Sequence, residues 1–283
     1  MIVGSRGIWS GPVRSRFAIV WLVGAVVVLV AAFRVAPATV AGGGYGGFDD
    51  AAPLTHALGV NLVAYWNSGN GALTPGMADL VDYWRRWHLV KVLISVSLTC
   101  VLALLATVLW QRFLRAGTSR SAVGCIVTAA VVTVLALFGV AVLVANVQST
   151  VEPLSALLGL LPVDPPRGEL EHTLGQIRQG LADPGSPEGD RPALAVMVGS
   201  YARYLWTLVL AGSVVAAVMA GAGVFAWRAF VSIDRADLRR KFTALGFGIA
   251  AVVVVAAVLV VVAASVDSAL EPASALLDFI NGG

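Results

Sequence analysis

Few side chains in this 283-residue chain are spaced for chemistry. The three histidines, His56, His88 and His172, show no H-x-x-x-H or other ligand spacing. The two cysteines, Cys100 and Cys125, lie in apolar runs with no C-x-x-C, so neither a zinc site nor a structural disulfide is expected. No G-x-S-x-G elbow and no G-x-x-x-x-G-K-[ST] phosphate loop occurs, which leaves acyl transfer and phosphate cradling without their usual parts. Asp49 and Asp50 could serve a metal-dependent transferase, but adjacent carboxylates in a Gly-rich stretch read as solvated. What stands out is a carboxylate written twice, Glu152 in STVEPLSALLGLL and Glu271 in SALEPASALLDFI, each directly after an apolar run. Carboxylates at one depth would suit a cation or a basic partner; the proline after each suits a structural elbow. No catalytic residue, cofactor or metal is expected, and the candidate functional or interface positions are Glu152, Glu271, Arg85, Arg203 and Lys91.

The elements that carry these residues follow from composition. The chain is 58% hydrophobic and 12% charged, against roughly 45 to 50% apolar and about 25% charged in soluble domains. Five runs, at about 17–33, 89–110, 122–146, 204–227 and 244–265, approach or reach the roughly 20 residues that a helix needs to cross about 30 Å of hydrocarbon. They lack the in-out alternation of a barrel wall. The expected fold is an all-α integral membrane protein with five transmembrane helices.

Arginine and lysine set the orientation. Arg6, Arg14 and Arg16 precede the first run. Arg112, Arg115 and Arg120 follow the second, and Arg228, Arg235, Arg239, Arg240 and Lys241 follow the fourth. These segments alternate correctly to face the cytoplasm, with the acidic stretch around 147–199 and the tail after 265 outside. The net charge of +3 averages a basic inner face and an acidic outer one, and gives no reason to expect nucleic acid. A rival reading makes the first run a cleavable signal peptide with small residues at Ala38 and Ala41, although the run exceeds the usual apolar core of about 7 to 15 residues. Scarce Lys beside abundant Arg, Ala, Val and Gly is the codon signature of a high-GC genome, so the expected location is a bacterial plasma membrane.

The duplicated phrase belongs to a longer repeat. Tyr83 and Arg85 align with Tyr201 and Arg203 at an offset of 118, Trp110 and Phe113 with Trp227 and Phe230 at 117, and Glu152 to Leu158 with Glu271 to Leu277 at 119. Each unit reads as an aromatic-basic entry, a helix in, a basic turn, a helix out and a Glu-Pro cap. Two such units run the same way across the membrane, as parallel repeats do. Ser149 to Glu152 and Ser268 to Glu271 match the capping-box pattern, and Pro153 and Pro272 fit the first turn of a new helix. Each membrane helix should therefore stop or bend at the glutamate, with a short amphipathic helix lying along the outer interface.

The organisation expected is 1–36, cytoplasmic N-terminus and first span; 37–88, an extracytoplasmic loop with amphipathic helices; 89–158, the first hairpin; 159–199, a second extracytoplasmic loop; and 200–283, the second hairpin with an extracytoplasmic C-terminus. The segment 34–50 reads as a Gly-rich tether. Pro53 to Trp66 predicts an amphipathic helix with Leu54, Leu58, Leu62 and Val63 on one side, broken by NSGNG. Thr74 as N-cap and Pro75 at the first turn open the next helix. In it Asp82 can pair with Arg86, while Tyr83, Trp84, Trp87 and His88 suit an aromatic belt. Lys91 lies deeper and is expected to snorkel. The stretch YWNSGNGALTPGMADLVDYWRRWHLVK, residues 65–91, resembles a part of uncharacterised actinobacterial multi-pass membrane proteins, a resemblance that implies no activity. In the second loop, Leu170, Leu174, Ile177 and Leu181 form a helical stripe suited to the membrane surface, the 53–66 helix or a docking partner.

Gly212, Ala216 and Ala220, and Gly246 with Ala250, recur every fourth residue, a spacing that permits close helix approach. No acidic residue lies deep in a span, whereas ion-coupled transporters place such groups near midplane. The function expected is that of a non-enzymatic accessory or scaffold subunit of a cell-envelope complex, with the lipid bilayer, self-association or envelope-complex subunits as partners. A lipid or small-solute transporter or channel built on two pseudo-symmetric hairpins is the alternative.

Overall fold

The computed structural model describes residues 12–42, 45, 51–116, 119–164 and 167–282. Arg6 and the Asp49–Asp50 pair lie outside them, as do the side chains of Arg14, Arg16 and Arg120. The described residues form helices and no strand: α1 (Pro12–Ala41), α2 (Ala52–Asn67), α3 (Pro75–Arg115), α4 (Ser119–Val151), α5 (Pro153–Leu158), α6 (Glu169–Ala182), α7 (Pro192–Ser232), α8 (Leu238–Leu270) and α9 (Pro272–Ile280). Proline opens α3, α5, α7 and α9, where its preset φ suits the first turn and its missing N–H costs nothing. Five helices, α1, α3, α4, α7 and α8, are long and apolar enough to cross a membrane, as in a multi-pass membrane protein. Their outward faces carry large apolar side chains such as Phe138, Val260 and Leu210, a coat that water would not tolerate and hydrocarbon does. At 41 residues each, α3 and α7 extend about 60 Å, so each has length to spare beyond a bilayer core.

The chain divides into two compact units. The first comprises Met1–Ala36 and Lys91–Leu143, the membrane parts of α1, α3 and α4. Its core joins Leu102, Leu105, Ala106 and Leu109 of α3 to Ala129 and Val132 of α4, with Ile19, Leu22 and Val26 of α1 packed against them. Trp110 donates its indole N–H to the Thr133 hydroxyl at 3.0 Å.

The second unit comprises Pro37–Val90 and Val144–Gly283. It holds the α7–α8 hairpin and a cap with a core like that of a soluble domain. Leu58 and Leu62 of α2, Met77 and Leu80 of α3, Leu157 of α5, Leu174 and Ile177 of α6, Met197 of α7 and Leu276 of α9 are all essentially fully buried in it. Ends of α1 and α8 contribute too, through Ala41 and Ala269. Trp66 is completely buried, donates to the Gln176 side chain at 2.7 Å, and lies under the Arg191 guanidinium at 4.8 Å. Burial also holds the Tyr65 phenol above its ordinary pKa, while its hydroxyl donates to the Gly71 carbonyl. Gly180 allows the loop to fold back, since a Cβ there would stand 2.8 Å from the Glu188 carbonyl.

Several local expectations change. Residues 34–41 are not tether but the end of α1, with Pro37 inside the helix and Ala41 in the cap core. Tyr83, Trp87 and His88 are buried rather than placed in a lipid-facing belt, because the outer turns of α3 are wrapped by cap helices. The Thr74 hydroxyl is buried without a partner and caps nothing, although α3 starts where the proline predicts. The stripe of α6 is spent on α2, α7 and α9. α5 is buried in protein rather than laid on an interface.

Along the α7–α8 contact the expected small residues hold on α7 at Gly212 and Ala216 and fail at Ala220, Gly246 and Ala250. Gly212, Ala216 and Gly223 face α8, whereas Ala220 is exposed. On α8 the seam runs Ala244, Gly248, Ala251, Val255, Val258, Val262, Ser265 and Ala269, and Gly246 and Ala250 point away. Alternating steps of three and four follow a 3.5-residue period, the geometry of left-handed packing. A Cβ on Gly212 would lie 2.7 Å from Val262 Cγ2, while one on Gly246 meets nothing within 4 Å. Gly212→Ala is therefore expected to lower thermal stability in detergent by about 1–3 kcal/mol, and Gly246→Ala to leave it unchanged or raise it; equal effects would contradict this seam.

Candidate functional site

The first elbow is built by a proline. Pro153 has no N–H for the Ser149 carbonyl, and it forces Glu152 out of the helical region, to φ −125° and ψ 72°. The chain turns there, from α4 into α5. The capping box does not form: Ser149 is still inside α4 and its hydroxyl bonds back to the Ala145 carbonyl at 3.0 Å. Glu152 is thereby free to reach α7. Its carboxylate accepts from Arg203 Nε at 2.6 Å, more weakly from the second guanidinium nitrogen at 3.4 Å, and from Ser200 Oγ at 2.9 Å. Ser155, fully buried one turn into α5, stands 2.8 Å from Ser200 Oγ. With Ser200 donating to the carboxylate, Ser155 donates to Ser200. A fourth tie runs from Gln148 Nε2 to the Tyr204 carbonyl at 2.9 Å. Together these bonds clasp the end of the α4 hairpin to the start of the α7 hairpin.

The second elbow has nearly the same backbone, with Glu271 at φ −124° and ψ 65°, and Pro272 opening α9. Its surroundings differ. Glu271 and Ser274 are exposed, and the Ser274 hydroxyl turns to the Glu271 carbonyl at 3.0 Å. They line an open pocket of about 480 Å³ with Tyr201, Asp267, Ser268, Ala275, Asp278 and Phe279. Three carboxylates, Asp267, Glu271 and Asp278, and three hydroxyl-bearing side chains, Tyr201, Ser268 and Ser274, therefore line one concavity. Glu152 does not line it, so the two glutamates are not brought into one site.

The remaining candidates fall elsewhere. Arg85 pairs with Asp82 at 2.8 Å, both side chains 57% exposed, instead of leaving Asp82 to Arg86. The i,i+3 partner is simply nearer on this turn. Lys91, in the first unit, places its ammonium 5.1 Å from the centre of the Phe33 ring, so its charge lies on an aromatic face. His88 Nδ1 bonds the Trp84 carbonyl at 3.0 Å, a helix-internal use. Among the described residues no group of three or more His, Cys, Asp and Glu could hold a metal ion.

Sequence reasoning singled out Glu152 and Arg203 without pairing them, and it missed Ser200 and Gln148. The available signal was that Ser200 and Arg203 lie three apart on one helix face. Comparison of the chain with protein-family models, with curated proteins and with solved structures finds no match.

The clasp is asymmetric, since the Glu152 side chain is 12% exposed and that of Arg203 63%. Removing the cation strands a mostly buried carboxylate. Arg203→Ala is expected to cost about 1–3 kcal/mol of unfolding free energy, whereas Arg85→Ala, at an exposed pair, should cost about 0–1 kcal/mol. Denaturation of dilute monomer in mild detergent checks both, and equal losses would remove the clasp from its structural role.

Proposed function

We propose that the chain is a non-enzymatic accessory or scaffold subunit of a bacterial cell-envelope complex, whose work is to hold a rigid cap at the membrane surface. One observation carries this reading: several of the residues that the sequence offers for chemistry are taken up in construction. Glu152 is clasped by Arg203 and Ser200, His88 bonds its own helix, and the aromatic residues of α2 and α3 are core. The acidic pocket lies at the cap end, on α7, α8 and α9, where it suits recognition of a basic partner surface.

In this reading the cap is extracytoplasmic, because the turns at the far ends of α3 and α7 hold the arginines and lysine that the positive-inside rule keeps in the cytoplasm. The N-terminus is then cytoplasmic and the C-terminus outside. The two hairpins are parallel repeats of one ancestral unit. Their equal helix lengths support this, 41 residues for α3 and α7 and 33 for α4 and α8, as do the matched dihedrals at Glu152 and Glu271.

Two measurements test the proposal. In a background with Cys100 and Cys125 replaced by serine, a membrane-impermeant thiol reagent applied to intact cells should label Ser274→Cys and not Ser232→Cys, and the reverse would overturn the orientation. Native purification in mild detergent with mass spectrometry should recover other envelope membrane proteins in fixed stoichiometry. Recovery of the chain without any other protein would overturn the subunit reading.

A further inference from the structure

Two kinds of surface each occur twice in this chain, and only one copy of each is covered. The first kind is the Glu-Pro elbow. At α5 it is buried: Pro153, Leu154 and Ser155 are all out of solvent, and Glu152 holds Arg203. At α9 the glutamate and the serine are open, Glu271 and Ser274 being exposed at the rim of the acidic pocket, while Pro272 and Ala273 are half-buried. The second kind is the outer face of the helix that enters each hairpin. On α7, Met197 and Ser200 are buried under the first elbow, and Arg203 reaches its glutamate. On α3 the positions 118 earlier, Asp79, Asp82 and Arg85, are exposed, as is the neighbouring Arg86.

Within one chain, then, the first elbow sits on the second entry helix, and the second elbow and the first entry helix are left over. We propose that these two leftover surfaces bind each other between copies of the chain, with Arg85 of one copy seated on Glu271 of the next. The pairing copies the contact already made inside the chain, glutamate to the arginine at the matching register. The pocket presents Asp267, Glu271 and Asp278; the α3 face presents Arg85 and Arg86 together with Asp79 and Asp82, so the charge complementarity lies in the two guanidiniums and not in the net charge of the face. Where α7 has Ser200 to donate to the carboxylate, α3 has Asp82, which accepts instead. A guanidinium has five donors, enough for Arg85 to keep its 2.8 Å bond to Asp82 and still fork onto Glu271. The association is head-to-tail, different surfaces meeting on the two partners, which closes into a ring or continues in the membrane plane according to the rotation per copy. It rests on the parallel-repeat reading, because that reading makes Arg85 the counterpart of Arg203.

Cross-linking in native membranes tests this on the full chain, again without Cys100 and Cys125. One copy carries Glu271→Cys and a differently tagged copy carries Arg85→Cys. A short bis-methanethiosulfonate reagent is calibrated on the Glu152→Cys/Arg203→Cys double variant, where it must link within one chain. The expected result is a shift of the mixed pair from the monomer band to a dimer band carrying both tags, lost when Asp278→Arg is added to the Glu271→Cys copy. Glu271→Cys with Glu271→Cys, and Arg85→Cys with Arg85→Cys, should stay monomeric. Links between like positions would mean a face-to-face dimer and overturn the proposal, as would monomer alone in the mixed sample. A link within one chain carrying both Glu271→Cys and Arg85→Cys would also overturn it, by closing the leftover surfaces on themselves. If the mixed pair fails while other envelope proteins still co-purify, self-association falls and the subunit reading stands. If the mixed pair links and no other protein co-purifies, self-association stands and the subunit reading falls.

Discussion

The peptide bond between Glu152 and Pro153 is the constraint on which the cap depends. Proline stops a helix by removing a backbone donor while pushing the preceding residue out of the helical basin. Because the break falls at the end of an apolar run, α5 turns into protein instead of carrying α4 onward. Its leucines enter the cap core and its serine faces α7. The displaced glutamate then has its carboxylate on the same side, where Arg203 and Ser200 neutralise and satisfy it. Backbone chemistry thus decides which side chains can meet, and the charge pair holds the result in place.

Two different solvents explain why the long apolar helices and the cap are built differently. In hydrocarbon there is no hydrophobic gain from helix association, so contact must come from close approach and an occasional polar bond. The α7–α8 seam uses glycine and alanine, and the α3–α4 contact uses one indole-to-hydroxyl bond. Where segments meet water, apolar burial is available instead, at about 25 cal/mol per Å² removed from water. There the chain gathers Trp66, Tyr65, Met77, Leu174 and Ile177 into a core. The Trp66 indole N–H buried in it is bonded to Gln176, because left unpaired it would cost more than the hydrogen bond returns. The α6 helix is tied down a second way, by Arg178 donating to Asn281 and to the Val163 carbonyl.

The proposed duplication gives the asymmetry a meaning. One elbow is roofed by α7, whereas at the other Glu271 and Ser274 stand exposed at the rim of the acidic pocket. Departures from strict repetition fall where this difference is felt: Ser200 against Asp82, and the added carboxylates Asp267 and Asp278 around the open elbow.

Much of this was legible from residue order because it depends on local rules. Apolar length marked the five long helices. Proline placed the starts of α3, α5 and α9, and periodicity found the faces of α2 and α6. Phase and partnership were not legible. Whether Gly212 or Gly246 lines a helix contact depends on a few tens of degrees of rotation about an axis, which small residues in an all-apolar run do not encode. Arg203 could have served Glu152, another carboxylate or water, and Asp82 had arginines at both i+3 and i+4. The aromatic residues of α3 would have anchored a belt had nothing covered them; the cap helices do, and turn them into core. By itself the sequence determined the elements, their breaks and their chemistry. Only the tertiary structure decided which elbow is clasped and which stays open, because that depends on contacts between segments some fifty residues apart, which no local pattern specifies.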